Sequence, residues 1–147
     1  MIRFFSKEEE YRLIEAIREA EQNTSGEVRV HLEQDSKGDV LEEAWEVFFR
    51  LGMHQTRTRA GVLIFLAPER RQFAIIGDEG ITQLATPLFW EEERDLMQSF
   101  FRKGEFVEGL CRAIVKVGEK LKAFFPRHDD DENELSDDIS YGAKPPK

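Results

Sequence analysis

The residues of this sequence best suited to chemistry are carboxylates placed beside glycines at the ends of apolar runs. Asp78-Glu79 lies between Gly77 and Gly80 directly after one such run, and Gly26-Glu27 lies directly before another. Hard divalent cations such as calcium take several oxygen ligands, and loops at strand ends can bring those oxygens together. Glycine beside them lets the backbone approach a bound ion closely. Glu27, Arg59, Asp78 and Glu79 make one cluster in this sense; Asp35, Ser36, Glu69, Arg70 and Arg71 make a second. Ligands of open α/β sheets favour the carboxyl ends of parallel strands, which supports the Asp35 cluster, whereas the glycines support the Asp78 cluster. Either cluster also reads as ordinary solvated loop charge in a chain this rich in ions.

The other reactive side chains are dispersed. His31, His54 and His128 fall on a strand, in a loop and near the C-terminus, and no pair has helical ligand spacing. Cys111 sits on an apolar helical stripe between Leu110 and Ile114 with no activating cation in view, the setting of a small core hydrophobe rather than a nucleophile. Asp129, Asp131 and Asn133 copy the opening of a calcium loop, but Glu134 stands where the turn glycine is needed and Ser140 where the bidentate Glu is needed. A solvated charge run is the better reading of that stretch. There is no P-loop, GxGxxG, HExxH or GxSxG.

The elements that must position these residues follow from hydrophobic period and helix-end chemistry. Ser6 and Glu9 stand at capping-box spacing ahead of Leu13, Ile14, Ile17 and Ala20, which predicts an amphipathic helix ending at Asn23-Thr24-Ser25-Gly26. Val28, Val30 and Leu32 alternate with polar residues as in a strand with one buried face. Asp39 caps a second helix whose face is Leu41, Ala44, Trp45, Phe48 and Leu51. Gly61 to Ala67 is wholly apolar, the mark of a central strand covered on both sides. It turns at Pro68 into an antiparallel strand, Phe73 to Gly77. The first two strands are separated by a helix and are expected to be parallel with a right-handed crossover. Two further helices carry Phe89 to Phe101 and Val107 to Leu121, broken at Gly104 and stopped at Pro126. The expected fold is α/β, a small mixed sheet with helices on both faces, an αβα sandwich of Rossmann-like build. It spans residues 5–125, and residues 126–147 read as an acidic flexible tail.

Size and charge narrow the function. The 147 residues suit one domain, and a net charge of −9 without a basic stripe argues against a nucleic-acid partner. No apolar run reaches the roughly 18 to 20 residues that cross a bilayer. A single cysteine excludes an internal disulfide and any multi-cysteine metal centre.

Taken in order, TSGEVRVHLE at Thr24 to Glu33, RAGVLIFLAPERRQFAIIGDEGI at Arg59 to Ile81, the Trp90 helix and FRKGEFVEGLCRAIVKVGEKL at Phe101 to Leu121 resemble the TPM domain family. The ending Asn133 to Ser140 is similar to that of its soluble, cytoplasmic bacterial branch. The resemblance implies an α/β sandwich. It also implies either an acid-phosphatase-like, calcium-binding phosphomonoesterase or a non-catalytic accessory module that works with a membrane-associated protein partner. Residue by residue, Gly26-Glu27, Gly61 and Gly77 to Gly80 match the family pattern and favour the Asp78 cluster. In the catalytic reading Ca2+ is held by Asp78 and Glu79 with Glu27, Arg59 binds the phosphoryl group, and no base is assigned. One departure is Ala60, where the family commonly has Asn before the glycine that opens the second strand. Most members also carry a secretion signal and a membrane anchor; neither is recognisable here, so a cytoplasmic location is expected.

Overall fold

A computed structural model describes residues 4–127 and 136–142. The first helix, α1 (Lys7–Glu21), starts where expected: Ser6 and Glu9 complete a reciprocal capping box, each side chain accepting the other's backbone N–H. Strand β1 (Glu27–Glu33) follows, then α2 (Val40–Arg50), whose Asp39 cap accepts from the Leu41 and Glu42 N–H groups. After a short 3₁₀ turn come β2 (Gly61–Ala67), a second 3₁₀ turn and β3 (Gln72–Gly77). The one-turn helix α3 (Glu79–Thr82) and the long helices α4 (Pro87–Arg102) and α5 (Phe106–Phe124) complete this part of the chain.

The sheet order is β3-β2-β1 with a fourth strand, β4 (Ser140–Gly142), beyond β1. β1 runs parallel to β2, with Glu27 opposite Gly61, and β3 returns antiparallel, with Val62 opposite Gly77. The mixed α/β sandwich and these strand directions are as expected. The correction lies at the C-terminal end. Ser140, within the stretch read as a flexible tail, opens β4, which pairs in parallel with His31 to Glu33. Ile139 just before it is buried. Three residues with one large side chain carry too little periodicity to be seen as a strand, and only the exposed edge of β1 gives them a partner. The calcium-loop-like stretch at Asp129 to Glu134, and His128, lie outside the described residues.

Burial explains the patterns. One sheet face, with Val28, Val30, Leu32, Val62, Ile64, Leu66 and Ile75, packs with the apolar stripes of α1, α4 and α5. The other, with Leu63, Phe65, Ala67, Ala74 and Ile76, packs with Ala44, Val47 and Phe48 of α2. All seven residues of β2 are buried. No helix among the described residues is long and apolar enough to cross a membrane.

Helices α1 and α5 touch at a glycine. A Cβ on Gly118 would lie 2.7 Å from the Ala20 Cβ and 2.9 Å from its Cα. Helix propensity alone would make Gly118→Ala stabilising by up to ~1 kcal/mol. The overlap with a neighbouring backbone costs about 1–3 kcal/mol and reverses the sign. A lowered thermal midpoint for Gly118→Ala, measured beside an exposed-site alanine control, checks this contact.

Candidate functional site

The N-terminal ends of β1 and β2 and the C-terminal end of β3 meet at one edge of the sandwich. Glu27 donates its N–H to the Ala60 carbonyl at 3.2 Å, Asp78 donates to Gly61 at 2.8 Å, and Gly80 donates to Arg59 at 2.8 Å. These bonds hold the loop after β3 flat against the loop before β2. Gly80 is required there: a Cβ would stand 2.5 Å from the Arg59 carbonyl oxygen and closer still to that of Thr58. Arg59 adopts a left-handed backbone, φ 54°, which is costly for a side chain bearing a Cβ and needs tertiary contacts to hold it. Ala60 is 1% exposed and belongs to the core, so no polar side chain enters at that position.

The structure thus brings Glu27, Arg59, Asp78 and Glu79 to one sheet end, and divides them. Arg59 grips Asp78 with two parallel bonds, Nε to Oδ2 at 2.6 Å and Nη2 to Oδ1 at 2.7 Å, a planar fork on a planar carboxylate. Asp78 Oδ1 also accepts the Glu79 N–H at 2.8 Å and caps α3. Arg59 Nη1 lies 3.1 Å from Glu79 Oε1. The positive charge facing both carboxylates is therefore Arg59, and this arrangement does not fit a dication held between Asp78 and Glu79. Asp78 is buried and Arg59 partly exposed, so the pair acts as a clasp closing the loop on the sheet. Asp35 follows the far end of β1, about 20 Å away at the rise of a strand. At that end Arg70 Nη1 donates to Ser36 Oγ at 2.9 Å and to the Gly38 carbonyl at 2.5 Å, tying the β2–β3 turn to the loop before α2.

Glu27 opens on a different space. It is 4% exposed and lines a cavity of about 150 Å³ together with Glu21, Asp137, Arg18 and Arg127. Glu21 Oε2 accepts the Val28 N–H at 2.8 Å, and the Glu21 carboxyl hydrogen-bonds Asp137. Burial first, then Asp137, push the Glu21 carboxyl up to about 10, so it carries a proton at neutral pH. Arg18 Nε stands 3.7 Å from Asp137. Two neighbouring elements, the end of α1 and the start of β1, and one distant in sequence, the segment leading into β4, therefore supply carboxyl groups to one cavity. Among the described residues, no three His, Cys, Asp or Glu side chains form a ready-made metal cluster. A cation in this cavity would keep water among its ligands.

Sequence reading did not single out Glu21 or Asp137. The signal for Glu21 was its position four residues after Ile17 and eight after Leu13, an acid continuing an apolar stripe. Asp137 has no comparable signal, because the fold of the C-terminal segment places it. His31, by contrast, is a cross-strand link. It is 1% exposed, its Nδ1 is 2.9 Å from Ser140 Oγ and its Nε2 is 3.1 Å from Glu33 Oε1. Burial pushes its basicity down. Cys111 is half-buried and burial raises its thiol, as suits a packing residue.

Two outcomes follow. Asp78→Ala removes the fork and the α3 cap, and we expect it to lower unfolding free energy by about 1–3 kcal/mol in urea titrations. Glu21 binds its proton more tightly folded than unfolded, so its contribution is complete below its ordinary value of 4.5 and is lost as pH rises towards about 10. Glu21→Gln, which mimics the protonated acid, removes that share of the pH dependence; urea midpoints across the same window measure it.

The sequence profile of the TPM domain matches residues 2–120. The fold is similar to the NMR structure of BA42 from the psychrophilic bacterium Bizionia argentinensis, with 44% identity over 97% of this chain and 98% of that one and a TM-score of 0.90. It also resembles the N-terminal domain of a P. gingivalis protein, with 20% identity, coverage of 84% and 82% and a TM-score of 0.69. The N-terminal domain of cg2496 from Corynebacterium glutamicum has 15% identity, coverage of 80% and 74% and a TM-score of 0.63. No curated protein gives a significant match. The matched profile, together with the strand order and helix layers described above, establishes that this chain belongs to the TPM domain family.

Proposed function

We propose that this TPM domain is a non-catalytic, calcium-responsive accessory module. The observation that carries the reading is the cavity shared by Glu21, Glu27 and Asp137. Burial, and then its hydrogen bond with Asp137, keep Glu21 protonated at neutral pH. A divalent cation supplies in that place the charge that the proton now supplies, and carboxylate oxygens are its preferred ligands. Because Asp137 leads into β4, the bound ion would tie the C-terminal segment to the α1–β1 corner and stiffen the sheet edge available to a partner protein. The clasped state of Asp78 supports a binding role over hydrolysis: the carboxylate and the arginine on which a phosphomonoesterase would draw are committed to each other.

Calcium titration of the metal-stripped protein by amide NMR, with magnesium in parallel, tests the reading. With few protein ligands and water completing the shell, we expect a dissociation constant of about 10⁻⁴–10⁻³ M. The saturable shifts should centre on Glu21, Glu27 and Asp137, weaken in Glu27→Gln and strengthen as pH rises, because binding displaces the Glu21 proton. Shifts centred on Asp78 and Glu79, or none, overturn the cation site. Phosphomonoester hydrolysis by the same sample, lost in Asp78→Ala that remains folded, overturns the non-catalytic assignment.

A further inference from the structure

Between α4 and α5 an acid occupies a place that helix geometry reserves for apolar side chains. Glu93 falls between Trp90 and Met97 at the spacing of the inward face of α4, and it is 1% exposed. Neither of its carboxyl oxygens has a hydrogen-bond partner. Buried polar groups are nearly always satisfied, and one that is not asks for a missing partner. Glu93 also lines a cavity of about 280 Å³ with Phe89, Lys116, Glu119 and Lys120, room for a short alkyl chain. An aromatic ring of the lining already holds an ammonium group: Lys120 Nζ lies 5.1 Å from the Phe89 ring centroid.

We propose that this cavity binds a primary alkylammonium group, with the Glu93 carboxylate as its buried hydrogen-bond acceptor and the Phe89 ring as its second contact. A primary ammonium brings three donors, which the carboxylate lacks, and a short aliphatic stem that can lie against Phe89 and Ala123, the apolar residues of the lining. Lys116 and Lys120 also line the cavity and neither hydrogen-bonds Glu93; the incoming ammonium takes the place of Lys120 Nζ beside the Phe89 ring. The charged groups that face Glu93 are Lys116 and Glu119 from α5 and Glu92 on its own helix; β3, also packed on α4, has no titratable residue. Burial pushes the Glu93 carboxyl up to about 8, so binding strengthens as pH rises to that value and the carboxylate forms.

The test is amide and side-chain carboxyl NMR of the full chain titrated with n-butylammonium, tetramethylammonium and N-acetyl-lysine methylamide. Butylammonium should give saturable shifts at Phe89, Glu93 and Lys116 and lower the Glu93 titration midpoint. Tetramethylammonium, which has no N–H, should bind at least tenfold more weakly, and so should butylammonium to Glu93→Gln. The lysine amide binding more tightly than butylammonium assigns the site to a partner's lysine side chain; weaker binding assigns it to free amines. Equal binding of tetramethylammonium to the unaltered protein, or a free-state Glu93 already ionised against Lys116, overturns the proposal without recourse to any variant.

Discussion

The structure depends on a strand that cannot face water on either side. Every residue of β2 is buried, so the chain must supply a helical layer to each face of the sheet. α2 covers one face, and α1, α4 and α5 cover the other. The parallel pairing of β1 with β2 follows from that demand, because a helix placed between them in sequence can reach the far face only through a crossover. Both strands then begin at the same edge, and β3, turning straight back from β2, ends there. The gathering of Glu27, Arg59 and Asp78 is a consequence of how β2 is shielded.

At that edge the loops carry backbone donors and acceptors that need partners. The Arg59–Asp78 fork supplies them indirectly. By holding the loop after β3 against the loop before β2, it keeps the Asp78–Gly61 and Gly80–Arg59 backbone bonds in place. An exposed ion pair adds little to stability, but here one partner is buried and also caps a helix. The pair is therefore an architectural element. Glu27 instead lines the cavity it shares with Glu21 at the end of α1 and Asp137 of the C-terminal segment.

Two acids break the apolar stripes of their helices: Glu21 at the end of α1 and Glu93 in α4. Both are pushed towards the protonated form, mainly by burial. Glu21 has local satisfaction from the Val28 N–H and from Asp137, whereas Glu93 has none. Residues that oppose the rules of burial without evident compensation concentrate where proteins bind something, and these two each line a cavity.

The amino-acid sequence by itself determined the local elements. Ser6 with Glu9, Asp39, Pro68 and Gly104 mark helix and strand ends because caps, turns and left-handed residues act over a few positions. Periods of two and 3.6 residues determined which faces are buried, and so the layer order. The same logic placed Glu27, Arg59, Asp78 and Glu79 at one end of the sheet, since strand direction is a local consequence of connection length. Only the tertiary structure decided how those side chains pair. Whether Asp78 faces Arg59 or a cation, and whether Glu27 opens toward Asp78 or toward Glu21, depends on rotamers and on segments distant in sequence. It decided also that Ser140 to Gly142 forms a strand, because three residues acquire that conformation only from the unpaired edge of β1. Burial of Glu93 belongs to the same class: its position on α4 was legible, but the absence of a partner is a property of the packed interface with α5.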